Sequence, residues 1–236
     1  MRDLNYDKYY LREEKREEPK EIFKFILEKA SVFLDSKSAP VIADIGCATG
    51  DFLYYIRSRY PQGIYSGLDY DHELIELAKK RMNFAKFNTI DIGDKDHLPA
   101  AGQFDAIFMT GVHTYFEDLS TWSANLMSLL KKGGRAYVFG QFNPESIDVL
   151  TRVRYPEKSN EFNTWGNLHS VYSVRKEFAK FNAEVNMSAF EITIDVARNT
   201  SDPLRSWTFK DDKGKRIIIN GAQVVQTFML AEIIPH

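Results

Sequence analysis

Between residues 41 and 142, short apolar runs alternate with amphipathic stretches, and that rhythm leaves few folds open to the chain. The runs "VIADI", "IYSGL", "AKFNTI", "FDAIFMT" and "RAYVFGQF" read as five successive strands. Between them, "GDFLYYIRSRY", "DHELIELAKKRM" and "LSTWSANLMSLLKK" carry helical periodicity. Asp71 stands where it can cap the second of these helices, and basic residues occupy that helix's last turn, both favourable with its dipole. Gly133-Gly134 stands where it can close the third. Strands that are apolar along most of their length and separated by helices predict a parallel sheet covered on both faces.

The flanks differ from this centre. Pro19 opens a helical pattern in which Ile22, Phe23, Ile26, Leu27, Ala30, Phe33 and Leu34 share one face, and Ala39-Pro40 stops it. After Pro144 the rhythm breaks. "ESIDVLTRVRY" and "SVYSVRKEFAKF" predict helices around a loop, and "EVNMSAFEITIDVA" predicts a β-rich stretch. "RSWTFKDDKGKRIII" predicts a hairpin turning at Asp211–Gly214, and "QTFMLAEII" a final strand. A chain of 236 residues, 44% of them hydrophobic, fits one domain with a sizeable core.

The same totals exclude several classes. With 31 basic residues against 33 acidic ones there is no basic surplus for nucleic acid. The single cysteine, Cys47, excludes an internal disulfide framework. No run is long enough to span a membrane, and the charged start "MRDLNYDKYYLREEKREEPK" lacks the apolar centre of a secretory signal. A cytoplasmic protein is expected. The His and Asp positions show no metal-ligand spacing, so no metal is expected.

In an open parallel sheet, ligands bind outside the carboxyl ends of the strands. Here the first strand ends at Asp44 and turns through Gly46 and Gly50, which let backbone bend and approach a ligand with no Cβ between them. Asp69 and Asp91 fall at the ends of the second and third strands. Asp69 lies nineteen residues after Gly50, near the spacing at which an acid accepts hydrogen bonds from a ribose. The turn lacks the three glycines of a dinucleotide fingerprint, and Asp51 puts a negative charge where a pyrophosphate would sit. A nicotinamide-dependent oxidoreductase is therefore the disfavoured alternative.

These residues resemble the class I S-adenosylmethionine (SAM)-dependent methyltransferases of small-molecule type. "ADIGCATG" is similar to that family's first motif, with Ala48 where a middle glycine commonly stands. "FDAIFMTGVHTYFED" and "LLKKGGRAYVFG" resemble its fourth-strand and fifth-strand segments. The resemblance implies an α/β, Rossmann-like doubly wound sheet of seven mostly parallel strands with the last antiparallel. It also implies an N-terminal helical lid (1–37), a SAM-binding core (38–142), and an acceptor-side cap with a β-rich insertion and the closing strands (143–236). SAM is the implied cofactor, held by Asp44, Gly46, Cys47, Ala48, Gly50, Asp69, Tyr70, Asp91, Ile92 and Thr110, with Tyr10, near Tyr6 and Tyr9, closing over it.

The implied reaction is methyl transfer to a hydroxyl or amine of a small molecule, with a sugar or nucleotide-linked sugar as one candidate. His113 follows the fourth strand, where similar enzymes open the acceptor pocket, and is the expected general base or pocket wall. Tyr115, Arg154, His169, Tyr172, Arg205 and Trp207 are the expected acceptor contacts, with Trp165 in the same region. Aromatic faces suit rings, and arginine suits carboxylate or phosphate. The expected partner is a small-molecule acceptor, with no nucleic acid or membrane, and a homodimer is left open. A SAM-binding subunit without activity of its own is the rival from outside the enzymes.

Overall fold

Strand β1 (Val41–Ile45) is buried on both faces. Ile42 packs into one core with the first helices, whereas Ala43 and Ile45 pack into a second core on the opposite side. A strand apolar on alternate sides in this way can only be central, and the rest of the sheet builds outward from it. The computed structural model of the chain describes residues 18–236.

Strands β2 (Ile64–Asp69), β3 (Ala85–Thr89), β4 (Phe104–Thr110) and β5 (Leu130–Asn143) join β1 in a parallel array. Two later strands, β9 (Ala183–Ala189) and β12 (Phe228–Pro235), extend the sheet in the order β3-β2-β1-β4-β5-β12-β9. The last strand, β12, runs antiparallel to both of its neighbours. The short strand β8 (His169–Ser170) adds to the end of β5. Two small hairpins lie outside the sheet, β6 (Arg152–Val153) with β7 (Asn163–Thr164) and β10 (Trp207–Lys210) with β11 (Arg216–Ile219). This is the expected Rossmann-like sheet of mostly parallel strands with an antiparallel last one.

Helices cover both faces. Helix α1 (Glu21–Leu34) begins behind Pro19 as its sequence predicts, and its apolar stripe of Phe23, Ile26, Leu27, Ala30, Phe33 and Leu34 is buried. It packs with α2 (Asp51–Arg59) and α3 (His72–Arg81) over one face. Helices α4 (Ser120–Leu129) and α5 (Val171–Ala179) cover the other through Trp122, Leu126, Val174 and Phe178. Asp71 caps α3 as expected, its Oδ1 accepting from the Glu73 and Leu74 amides at 2.8 and 3.1 Å.

Two expectations fail. Gly133-Gly134 does not close α4, which ends at Leu129; the pair lies within β5, beside an irregularity in pairing between Phe104 and Ala106 of β4. "ESIDVLTRVRY" is not a helix: Val149 exchanges backbone hydrogen bonds with Leu168, and Arg152–Val153 pairs as β6. Tyr6, Tyr9 and Tyr10 lie outside the described residues. Among the described residues no helix is long and apolar enough to cross a membrane, and no cluster of His, Cys, Asp and Glu could hold a metal ion.

Candidate cofactor and acceptor site

A cavity of about 390 Å3 opens at the carboxyl ends of β1, β2, β4 and β5, within the size range of small-molecule sites. The turn after β1 forms its floor. Gly46 and Cys47 both donate backbone hydrogen bonds to Leu68 O, at 2.7 and 3.2 Å, which ties the turn to the end of β2. Gly46 has φ +74°, and a Cβ there would stand 2.2 Å from Val112 Cγ2, so the turn closes on Val112 only because residue 46 is glycine. Ala48, standing where a glycine is common in the resembling family, adopts φ +47°.

The three strand-end acids are all in the cavity wall. Asp69 spends one oxygen on the turn, accepting from the Ala48 amide at 2.7 Å, and the other on the Asp71 amide at 3.0 Å. These two bonds hold the carboxylate at the end of β2, in the cavity wall. Asp44 is 3% exposed. No described donor bonds its carboxylate, and burial first, then the Asp69 charge, push it well above the ordinary carboxylate range. Asp91 lies at the edge, its Oδ1 accepting from the Gly93 amide at 2.8 Å, with Ile92 buried beside it. Tyr70, Cys47 and Thr110 are also in the wall, whereas Gly50 is not: it sits at the start of α2 with φ +81°, its open side toward Met82 and Phe87. The Cys47 thiol is pushed well up by burial and then by Asp44 and Asp69, which makes it a wall group and not a nucleophile.

The acceptor-side expectations fare differently. Tyr115 and Trp165 line the cavity. Arg154 is outside it, its guanidinium 4.8 Å from the Phe162 ring. Tyr172 is exposed and outside the cavity wall. His169 is buried away from the cavity and donates to Phe116 O at 3.0 Å. Trp207 has Arg198 over its ring at 4.8 Å, and Arg205 stands between two wall residues, Leu204 and Ser206, without joining them.

His113 does not reach the cavity, and strand alternation gives the reason. Phe139 and Gln141 of β5 face the cavity. Gly140 reaches the cavity wall, but its Cβ position and the Phe142 side chain point to the other side, where the His113 ring stacks on Phe142 with centroids 4.4 Å apart. A Cβ on Gly140 would stand 2.3 Å from His113 Cε1, so glycine at 140 makes room for the imidazole. His113 Nε2 lies 3.2 Å from Gln141 O, and a carbonyl only accepts, so the proton sits on Nε2. Nδ1 is buried without a partner. Burial, above all, lowers the imidazole to about 3.

Sequence reasoning missed the groups that do form the acceptor end: Gln141, Phe190, Ile192, Ser206, Gln226 and Phe228, among others. They converge through the β5–β12 register and the segment before β10, and no local spacing announces either.

The described residues fit SAM. Its ammonium and sulfonium are cations, and Asp44 is a buried carboxylate with no partner of its own. Its ribose hydroxyls suit Asp69, and Leu74, Ile90, Ile92 and Val112 supply an apolar slot for a purine. Thr49 and Thr110 hydroxyls in the wall are buried without partners, the kind of orphaned group that a ligand satisfies. Asp69→Ala is expected to cost about 1.5–3 kcal/mol, at least about tenfold in SAM affinity by calorimetry. Unchanged affinity in a folded variant would remove the ribose assignment.

Comparison with known proteins agrees with the geometry. Residues 43–136 match the family model described as a methyltransferase domain. A malonyl-[acyl-carrier protein] O-methyltransferase of Priestia megaterium is 25% identical over 79% of this chain and 62% of its own length. A trans-aconitate 2-methyltransferase of Rhizobium leguminosarum bv. trifolii is 27% identical over 57% of this chain and 50% of its own. The chain thus spans about half the length of the curated relatives it matches. A SAM-dependent methyltransferase from Aquifex aeolicus shares the fold, with a TM-score of 0.52 and 12% identity over 90% of this chain and 93% of that one. Strand order, glycine turn and strand-end acids agree with these matches: residues 43–136 carry a methyltransferase domain, the fold is that of SAM-dependent methyltransferases, and SAM is the cofactor.

Proposed function

We propose that the protein transfers the SAM methyl group to a carboxylate oxygen of a small molecule, giving a methyl ester. One observation carries this reading: among the described residues, the acceptor end of the cavity holds no histidine, lysine or carboxylate to take a proton. Among the described wall residues there, Tyr115 is the one titratable group, and His113 is sealed behind β5. An alcohol must lose a proton as it attacks, and an alkylammonium must lose one before it can. A carboxylate is already ionised at neutral pH. SAM supplies an activated methyl group bonded to a sulfonium. The new C–O bond forms as the C–S bond breaks, the electron pair stays on sulfur, and no proton moves.

The residues therefore bind, align and exclude water, and alignment alone is worth about 7–11 kcal/mol in well-oriented systems. The acceptors in the two relatives' names, malonyl and trans-aconitate, both carry carboxyl groups, which supports the same chemistry here. The sugar hydroxyl considered from sequence finds no base among the described residues of this site. Residues 143–236 act as the acceptor-side cap in this reading, supported by the positions of Trp165, Phe190, Ile192, Ser206 and Gln226 in the wall. The test uses methyl-tritiated SAM with panels of acids, alcohols and amines. Label that mild alkali releases as volatile methanol, seen with acids alone, is the expected outcome. Label stable to alkali on an alcohol or amine would replace the proposal.

A further inference from the structure

The cavity beyond the cofactor end is walled mainly by apolar side chains, among them Phe139, Phe190, Ile192, Leu204, Ile218 and Phe228. Two side-chain amides interrupt it, Gln141 at 9% exposure and Gln226 at 5%. Their placement is determined by the fold. Gln141 sits opposite Phe228 in the β5–β12 pairing, and Gln226 precedes Phe228 by two residues with its backbone amide on Ile218 O at 2.8 Å. Both amides lie in the wall, and among the described residues no acceptor is hydrogen-bonded to either NH2 group. Neither NH2 group is sealed in the protein, so both open on the cavity and are available to a ligand acceptor.

Their orientation follows from two neighbours. The Ser206 hydroxyl donates to Gln226 Oε1 at 2.5 Å, which occupies the acceptor end of that amide and leaves Nε2 as its free end. His113, which cannot act on the substrate, holds the Gln141 backbone from behind by donating to its carbonyl at 3.2 Å. Among the described wall residues Lys20 alone is cationic, and it stands at the start of α1.

We propose that the Gln141 and Gln226 amides form a two-donor clamp for the acceptor's reacting carboxylate, and that the aromatic and aliphatic walls around them select monocarboxylates with an apolar body over polyacids. This rests on the carboxylate reading above. A carboxylate only accepts, with about four lone-pair sites, so two NH2 groups can hold it while one oxygen lone pair remains directed at the methyl carbon. A second carboxylate on the same molecule would lie against phenyl and alkyl groups, stripped of water and without a partner. Gln141 and Gln226 are thus binding and orienting residues, and His113 and Ser206 position them.

The experiment measures binding of phenylacetate, octanoate, succinate, trans-aconitate and benzylamine to the full chain loaded with S-adenosylhomocysteine. Turnover with labelled SAM is followed in parallel. Phenylacetate or octanoate should bind and be esterified, with succinate and trans-aconitate at least about tenfold weaker. Gln141→Leu and Gln226→Leu should each weaken the monoacid by about tenfold while SAM affinity stays at the wild-type value, which also reports that each variant is folded. Gln226→Glu keeps the shape, replaces donors by a negative charge, and should abolish monoacid binding. Wild-type monoacid affinity in all three variants would overturn the clamp and leave the carboxylate reading standing. Polyacids binding as well as monoacids would overturn the selectivity, as would failure of both monoacids to bind. Methylation of benzylamine alone, improved by Gln226→Glu, would overturn the carboxylate reading and the clamp with it.

Discussion

Asp44→Asn is expected to raise the melting temperature of the cofactor-free protein and to weaken SAM binding by roughly a hundredfold. The two effects share one cause. Asp44 is buried, has no described hydrogen-bond donor, and faces the Asp69 charge, so its folded-state carboxyl holds a proton more tightly than an unfolded one. A group whose pKa is raised on folding contributes stability that is fully present below its unfolded pKa and lost as pH rises through the folded value. At pH 7 the empty protein therefore carries the cost of burying that charge or of protonating it, which asparagine does not. The cofactor's ammonium and sulfonium offset that cost when bound. Removing the anion leaves a cation with no partner in a buried site, about 3 kcal/mol or two decades in Kd. Wild-type affinity should also fall as pH drops through the raised Asp44 pKa, a slope absent from the variant. Scanning fluorimetry and calorimetry across pH read both effects. A lower melting temperature with unchanged SAM affinity would show that Asp44 serves the turn and not the cofactor.

The cofactor end was legible in the sequence because its determinants are local. β1, its turn and α2 are continuous in the chain, and Asp69 and Asp91 fall where neighbouring parallel strands stop. The acceptor end was not legible, because long-range pairing assembles it. Gln141 and Gln226 are far apart in sequence and look like ordinary strand residues until β12 is laid against β5. Arg154, Tyr172 and Trp207 carry the chemistry a binding site uses, yet Phe162, solvent and Arg198 take up their surfaces. Local signals also lost to tertiary ones in the cap. The apolar spacing of "ESIDVLTRVRY" suits a helix, but Asp148 accepts from the Ser170 amide and the Ser173 hydroxyl, both at 2.6 Å, and that anchors the segment in an extended path. At Gly133-Gly134, pairing of Leu130 with Phe104 draws the chain into β5 before the glycines can end a helix.

His113, read from sequence as a base, is expected instead to govern acid stability. Its imidazole is fully buried, donates from Nε2 to Gln141 O, and is lowered to about 3 by burial, whereas an unfolded histidine titrates near 6.5. As pH falls below about 6.5 the unfolded chain gains a proton that the folded chain refuses. Stability should therefore drop by about 1.4 kcal/mol per pH unit through that window, or about 2 kcal/mol between pH 7 and pH 5. Asp105, Asp148 and Glu117, each held below its ordinary value, add their losses further down, below about pH 4.5. Asp44 titrates in the opposite sense and is common to wild type and variant, so it cancels in the difference. His113→Asn keeps a donor, removes the titration, and gives up the stacking on Phe142. It should be less stable than wild type at pH 7 by about 2–3 kcal/mol, from a cavity of this kind, and the gap should close almost completely by pH 5. Urea unfolding of both proteins at pH 5, 6 and 7 measures the gap directly. A gap that stays constant with pH would mean that His113 takes up its proton in the folded state as readily as in the unfolded one, and the buried, neutral imidazole behind Gln141 would have to be abandoned.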